Sequence, residues 1–197
     1  FYTPGEVSRV MAKVIGIHQD LHENISIYDP TCGSGSLLLR ALSESLHPNN
    51  TALFGQEKDI NNVGMAKMNM ILHGYECSDI QQGDTLNNPQ FLSSPTALQA
   101  FNYVVANPPF SEIRKNIVKA GYIKGLIGLP QNLFYGTGIP ACIIILDKQE
   151  ASDRKGIFMI DAKDGFVKDG NMNRLREEDI QRIVDTWEAW VDVPHYA

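Results

Sequence analysis

Cysteine is scarce here: Cys32, Cys77 and Cys142 are the only three in 197 residues. An odd number without metal-ligand spacing argues against a disulfide framework or a zinc site. It makes a reducing cytoplasm the expected compartment. Long apolar runs are missing too. A membrane span needs about 20 apolar residues, and the longest candidate, Ala141 to Leu146, is strand-sized. The opening Phe1-Tyr2-Thr3-Pro4 has neither the basic nor the apolar stretch of a secretory leader, so none is expected. A basic surplus is also lacking. Lys and Arg total 17 against 23 Asp and Glu, a net charge of −6. A protein that grips nucleic acid alone normally carries excess positive charge. Work on nucleic acid would therefore need a partner or a local basic patch. The first residue is Phe rather than Met, and the sequence is expected to be part of a longer product. What remains, 43% hydrophobic and 20% charged, is an ordinary globular composition. It excludes collagen-like, coiled-coil and largely disordered chains.

Strand-like and helix-like segments alternate, which predicts an α/β fold with a mostly parallel sheet. Residues 4–15 repeat apolar side chains at helical spacing, with Thr3 suited to the N-cap and Pro4 to the first turn. Strands are expected at Ile25 to Tyr28, Ala52 to Gln56, Asp79 to Gln82, Phe101 to Ala106, Lys124 to Leu129, Cys142 to Leu146 and Ile157 to Ile160. Helices are expected at Leu37 to Ser45, Asn61 to Leu72, Glu112 to Lys119 and Glu177 to Trp190. The continuous apolar run from Cys142 reads as a strand buried on both faces. Residues 163–174 read as a polar surface loop. His18 and His22 stand four apart but lack the glutamate and third ligand of a metal site, so no metal is expected.

Four short motifs close the first four strands. Asp29-Pro30-Thr31-Cys32-Gly33-Ser34-Gly35-Ser36 is a glycine-bearing strand-to-helix turn. Ligands of open α/β sheets bind at such turns, although a tight turn without a ligand would use the same residues. A dinucleotide site wants a third glycine where this sequence has Leu38. An aspartate at position 29 is also unwelcome beside a pyrophosphate. It suits a cationic ligand such as an amino-acid ammonium, which favours S-adenosylmethionine over a nicotinamide dinucleotide. Glu57, in Gly55-Gln56-Glu57, can accept from two ribose hydroxyls, although an ordinary surface glutamate would read the same. Asp84, after Gly83, can accept from an adenine amino group, although an ordinary turn aspartate would read the same. Asn107-Pro108-Pro109-Phe110 ends the fourth strand, because two prolines cannot donate to a ladder. The Asn107 amide oxygen and a proline carbonyl can both accept from an exocyclic amino group. Phe110 offers a face for stacking a base.

Together these motifs resemble the N6-adenine DNA methyltransferases, whose patterns read D-P-x-C-G-S-G and N-P-P-[YF]. The family's F-Y-T-P-x-x-V is matched by Phe1-Tyr2-Thr3-Pro4-Gly5-Glu6-Val7. Ile127 to Phe134 and Thr137 to Ile143 are similar to the modification subunit of type I restriction–modification systems, as is Arg154 to Ile180. The likeness runs through at least residues 1–185. It implies the seven-stranded methyltransferase variant of the doubly wound sheet, with one late antiparallel strand. The catalytic domain would span 1–165, and 166–197 would form a C-terminal loop and helix.

The implied activity is methyl transfer from S-adenosylmethionine to N6 of a flipped-out adenine in double-stranded DNA. Asn107, Pro108, Pro109 and Phe110 would serve the base. Phe1, Tyr2, Thr3, Pro4, Asp29, Thr31, Gly33, Ser34, Gly35, Ser36, Glu57 and Asp84 would hold the cofactor. The implied partners are a specificity subunit, a restriction subunit and a second modification subunit, with no membrane. Relatives carry a helical domain before F-Y-T-P and a further helix–strand–helix unit between N-P-P-F and the helix at Glu112. Here Ser111 joins the two directly, so a segment near 111 is expected to be omitted. A protein-glutamine or RNA amino-group methyltransferase would share N-P-P-[YF], but the stretch from Ile127 to Ile143 argues against it. A non-catalytic assembly subunit is the other alternative.

Overall fold

The structure is a computed structural model that describes residues 3–108, 121–149 and 151–197. The chain divides into two units, Met11–Pro108 on one hand and Phe1–Val10 with Pro109–Ala197 on the other.

In the first unit, β1 (Ile25–Asp29), β2 (Thr51–Glu57), β3 (Asp79–Gln82) and β6 (Tyr103–Val104) form one sheet in the order β3-β2-β1-β6. All three pairings are parallel, with Asp29 opposite Gly55 and Glu57 opposite Gln82. Helices α2 (Ser36–Ser43) and α3 (Ile60–Leu72) are crossovers of this sheet. Gly35, at φ 76°, turns the chain into α2, whose Leu37, Leu38, Ala41 and Leu42 are buried. This i, i+1, i+4, i+5 stripe is the apolar face that drives the helix onto the sheet. The start of α3 is capped by Asp59, whose carboxylate accepts from Asn61 N at 2.8 Å and Asn62 N at 3.2 Å. Its inner face joins the core through Val63, Ala66 and Met70, whereas Met65 and Met68 point to solvent. The opposite face of the sheet carries an aromatic cluster. Tyr28 stacks on Phe101 with ring centroids 4.5 Å apart, and Phe54 and Phe91 meet edge-on at 5.5 Å. A short hairpin of β4 (Leu92–Ser94) and β5 (Ala97–Leu98) follows Phe91. The fourth strand is shorter than the expected 101–106, but Val105 N still donates to Tyr28 O at 2.9 Å.

In the second unit, β7 (Ile123–Gly128), β8 (Cys142–Leu146) and β9 (Phe158–Asp161) form a sheet ordered β8-β7-β9. β8 is antiparallel to β7 and β9 is parallel to it, which matches the expected late antiparallel strand. Among the described residues these strands form two separate hydrogen-bonded sheets, of four and of three. Burial along β8 alternates, with Ile143 and Ile145 inside and Ile144 46% exposed. The expected two-sided burial is therefore corrected. A short apolar run does not by itself reveal how many faces are covered, and among the described residues one face is not.

The segment read as a loop at 163–174 contains a hairpin, β10 (Val167–Asp169) with β11 (Met172–Arg174), turned at Gly170 with φ 61°. The last helix, α4 (Glu177–Ala189), is tied at its start by Asp179, which accepts from Arg176 N at 2.9 Å and Nε at 2.8 Å. Arg9, in α1 (Gly5–Val14), donates to both carboxylate oxygens of Glu177. Trp187 is buried and lies against Gly125, where any side chain would collide with its ring. Trp190 stacks on Phe158 at 4.4 Å. The helix expected at 112–119 lies outside the described residues.

Candidate cofactor site

Four parallel strands present their carboxyl ends along one edge of the first unit's sheet, and each end carries one expected residue group. β1 ends on Asp29, β2 on Glu57, β3 leads into Gly83-Asp84, and β6 leads into Asn107-Pro108. Parallel pairing is what gathers them, because a crossover returns every strand in the same direction.

The turn after β1 is held from three sides. Gly33 and Gly35 adopt φ 54° and 76°, conformations that side-chain-bearing residues avoid. Space is open where a Gly33 Cβ would lie, while a Gly35 Cβ would sit 2.6 Å from Met70 Cε. The Ser34 carbonyl accepts from Asn69 Nδ2 at 3.1 Å, Cys32 N donates to Gln56 O at 3.0 Å, and Gly33 N donates to Glu57 Oε2 at 3.0 Å. Ser36 opens α2 and is exposed.

Asp29 is 1% exposed at the floor of this turn. Its Oδ1 accepts from Thr31 N at 2.9 Å. Burial pushes its carboxyl up to about 7, with a smaller push from Glu57 and partial relief from Thr31. A cation placed there would bring it back down. Cys32 is also enclosed. Burial drives its thiol up to about 12, so it is inert packing rather than a nucleophile. Its sulfur lies 3.0 Å from where a Gly55 Cβ would stand, which explains a glycine at that point of β2.

Glu57 is half-buried and bridges two elements, since its Oε1 also accepts from Asp59 N at 2.9 Å. Asp84 makes a tight local turn. It accepts from Leu86 N at 3.1 Å, Asn87 Nδ2 at 3.1 Å and Lys58 Nζ at 3.0 Å. Those hydrogen bonds, Lys58 first, hold its carboxyl down at about 2. Thr85 Oγ1 donates to Pro30 O at 2.5 Å, fastening the loop after β3 to the turn after β1. Asn107 is half-buried and Pro108 exposed.

Asp29, Thr31, Gly33, Ser34, Gly35, Ser36, Glu57, Asp84, Asn107 and Pro108 therefore share one sheet edge. Thr3 and Pro4 belong to the other unit, where Pro4 O accepts from Ser8 N at 3.0 Å. Phe1, Tyr2, Pro109 and Phe110 lie outside the described residues. Sequence reasoning missed Lys58, Thr85 and Gln56 as parts of this edge. Their contacts join strands 26 to 55 residues apart, and only the adjacency of Lys58 to Glu57, and of Thr85 to Asp84, hinted at the first two.

The sequence profile of the N-6 DNA Methylase family matches residues 1–112 and 111–197. The chain belongs to this family. Among curated proteins it is similar to the type I restriction enzyme MjaVII methylase subunit of Methanocaldococcus jannaschii. The identity is 27% over 269 aligned residues, covering 100% of this chain and 45% of the relative. The MpnII methylase subunit of Mycoplasma pneumoniae is 26% identical over 100% of this chain and 49% of its own length. Among solved structures, the methyltransferase subunit of a type I restriction–modification system from Streptococcus thermophilus superposes with a TM-score of 0.87 at 27% identity. That match covers 100% of this chain and 55% of that one. The chain thus spans about half the length of the relatives it matches. Its α/β methyltransferase fold is established by these likenesses.

Proposed function

We propose that this chain is the methyltransferase part of a type I modification subunit. It would transfer a methyl group from S-adenosylmethionine to N6 of adenine in double-stranded DNA. The observation that carries this is the single sheet edge holding Asp29, Glu57, Asp84 and Asn107, in a chain of this family. The donor set fits the cofactor. Asp29 is an enclosed carboxyl that gains from a cation, Glu57 and Asp84 offer carboxylate oxygens, and the open space over Gly33 admits a ligand against the backbone. Asp29 with the turn from Thr31 to Ser36 would hold the amino-acid end, Glu57 the ribose and Asp84 the adenine. Phe1, Tyr2, Thr3 and Pro4 would cover that ligand. Bound S-adenosylmethionine supplies an electrophilic methyl group.

The chain's own work is positioning and acceptance of hydrogen bonds that strengthen as charge develops. The Asn107 side-chain oxygen and the Pro108 carbonyl would accept from the target amino group. That localises the nitrogen lone pair for attack. Pro109 stiffens the loop, and Phe110 stacks the base. The base must leave the duplex, which costs a few kcal/mol.

The net charge of −6 agrees with a division of labour in which a specificity subunit reads DNA. A second modification subunit and a restriction subunit complete the assembly, in the cytoplasm. No helix among the described residues is long and apolar enough to cross a membrane. Residues 1–165 form the catalytic part and 166–197 the start of a tail. A segment would be omitted near 111; this reading is supported by the family profile matching in two stretches that meet there, and by the M. jannaschii relative aligning over 269 residues against 197 here.

The test is methyl incorporation into cognate DNA by the reconstituted complex. Asn107→Ala should lower turnover by tenfold or more with cofactor affinity unchanged. Full methylation by that variant removes the assignment.

A further inference from the structure

Gln56 has no ligand contact in the proposed function, yet among the described residues it is the largest polar side chain withdrawn completely from solvent, at 0% exposure. A buried amide is costly unless both its ends are paired. Here they are paired to one short segment. Nε2 donates to Asn88 O at 3.0 Å, and Oε1 accepts from Gln90 N at 3.0 Å. Bonding the carbonyl of one residue and the N–H of the residue two further on is what the N–H and C=O of a single residue do in a parallel ladder. The Gln56 side chain therefore stands in for one residue of a neighbouring strand opposite Pro89. It holds a returning loop after β3 has ended.

The fit is close. A Cβ on Gly83 would lie 2.8 Å from Gln56 Nε2 and 2.9 Å from Asn88 O. Tyr28 Oη sits 3.5 Å from Oε1 and orients the amide. The backbone of the same residue reaches the other way, where Gln56 O accepts from Cys32 N at 3.0 Å. Its neighbour Glu57 holds Gly83 N through its carbonyl at 3.0 Å. The loop that carries Asp84 is thus pinned at its start by Glu57 and near its end by Gln56.

We infer that Gln56 is a positioning residue for the cofactor site. By clamping residues 88–90 it sets where Asp84 stands relative to Glu57, and so tunes affinity for an adenosine-bearing ligand without touching it. This rests on the proposed reading of Glu57 and Asp84 as ribose and adenine contacts. Because the amide acts on a binding contact and not on the reacting atoms, its loss should appear in affinity and leave turnover at saturation unchanged.

The experiment uses the full-length subunit in its complex, with S-adenosylhomocysteine as calorimetric probe and methyl transfer as the second readout. Gln56→Met keeps the volume and removes both hydrogen bonds. It should weaken binding tenfold or more, equivalent to about 1.4 kcal/mol, with kcat at saturating S-adenosylmethionine within twofold. In an Asp84→Ala background the same change should cost less than threefold, because the contact it positions is gone. Gln56→Glu keeps one acceptor and the shape. It should lose at least threefold, and it carries the comparison if the Met variant does not fold. Equal losses in both backgrounds would mean general loosening and overturn the inference. So would unchanged affinity in Gln56→Met while Asp84→Ala loses tenfold. If Asp84→Ala itself binds normally, the adenine assignment falls, and the role given to Gln56 falls with it.

Discussion

Asp29→Asn is the sharpest probe of the glycine turn. The Asp29 carboxyl is 1% exposed and is held up at about 7, against 3.8 in the open chain. Between those values the folded protein keeps a proton that the unfolded chain has released. Stability must therefore fall as pH rises through that window. It is unaffected by this group below about 4, and the cost is complete above about 7. Roughly three pKa units at 1.36 kcal/mol each give a cost of about 4 kcal/mol. The substituted amide would carry no ionisation, and its oxygen can still accept from Thr31 N. The Asp29→Asn protein should then be more stable than wild type by about 2–4 kcal/mol at pH 8 without ligand, and the gain should vanish near pH 4. Urea denaturation of both proteins from pH 4 to 9 reads this directly, and the difference curve cancels the other carboxylates. A pH-independent difference would refute the burial account of Asp29. The same substitution should weaken S-adenosylmethionine binding, because the ligand's ammonium loses its counter-charge. Wild-type binding should release a fraction of a proton near pH 7, visible as buffer-dependent heat in calorimetry.

Other consequences are equally specific. Glu57→Ala removes a charge-assisted acceptor and should cost about 1.5–3 kcal/mol of cofactor affinity; unchanged affinity would end the ribose assignment. Gly35→Ala forces a side chain into a left-handed conformation and against Met70 Cε, so thermal unfolding should show a loss of about 1–2 kcal/mol or more. Phe110→Ala should lose about 1–3 kcal/mol of base stacking, whereas Phe110→Tyr should methylate normally. If a segment is omitted near 111 as proposed and packs on β8, the Cys142, Ile144 and Leu146 amides of the full-length protein should be protected from hydrogen exchange. Their alternates face β7, through Leu129 N to Ala141 O and Asp147 N to Tyr122 O. Rapid exchange of those three amides in a monomeric full-length subunit would count against that segment covering β8.

Much of this protein is local and therefore readable from the chain alone. The four strand-end motifs are short, and each depends on what its own residues permit. Glycines take positive φ at 33 and 35, prolines stop the ladder after Asn107, and apolar spacing drives α2 and α3 onto a sheet. Alternation of strands and helices then implies parallel order, and parallel order places all four motifs on one edge. What only the tertiary structure decided are properties that depend on distant neighbours. Asp29 was legible as an acid at a turn, but its raised pKa comes from enclosure by the assembled sheet and helices. The apolar run of β8 looked fully buried, yet one of its faces is bare among the described residues, and nothing in the run itself records what lies over either face. Gln56 looked like an ordinary polar residue in a strand. Its burial and its clamp on Asn88 and Gln90 arise from partners 32 and 34 residues away. Hydrogen bonding across such separations leaves no periodic mark in a sequence, so these positions became visible only once the chain had closed on itself.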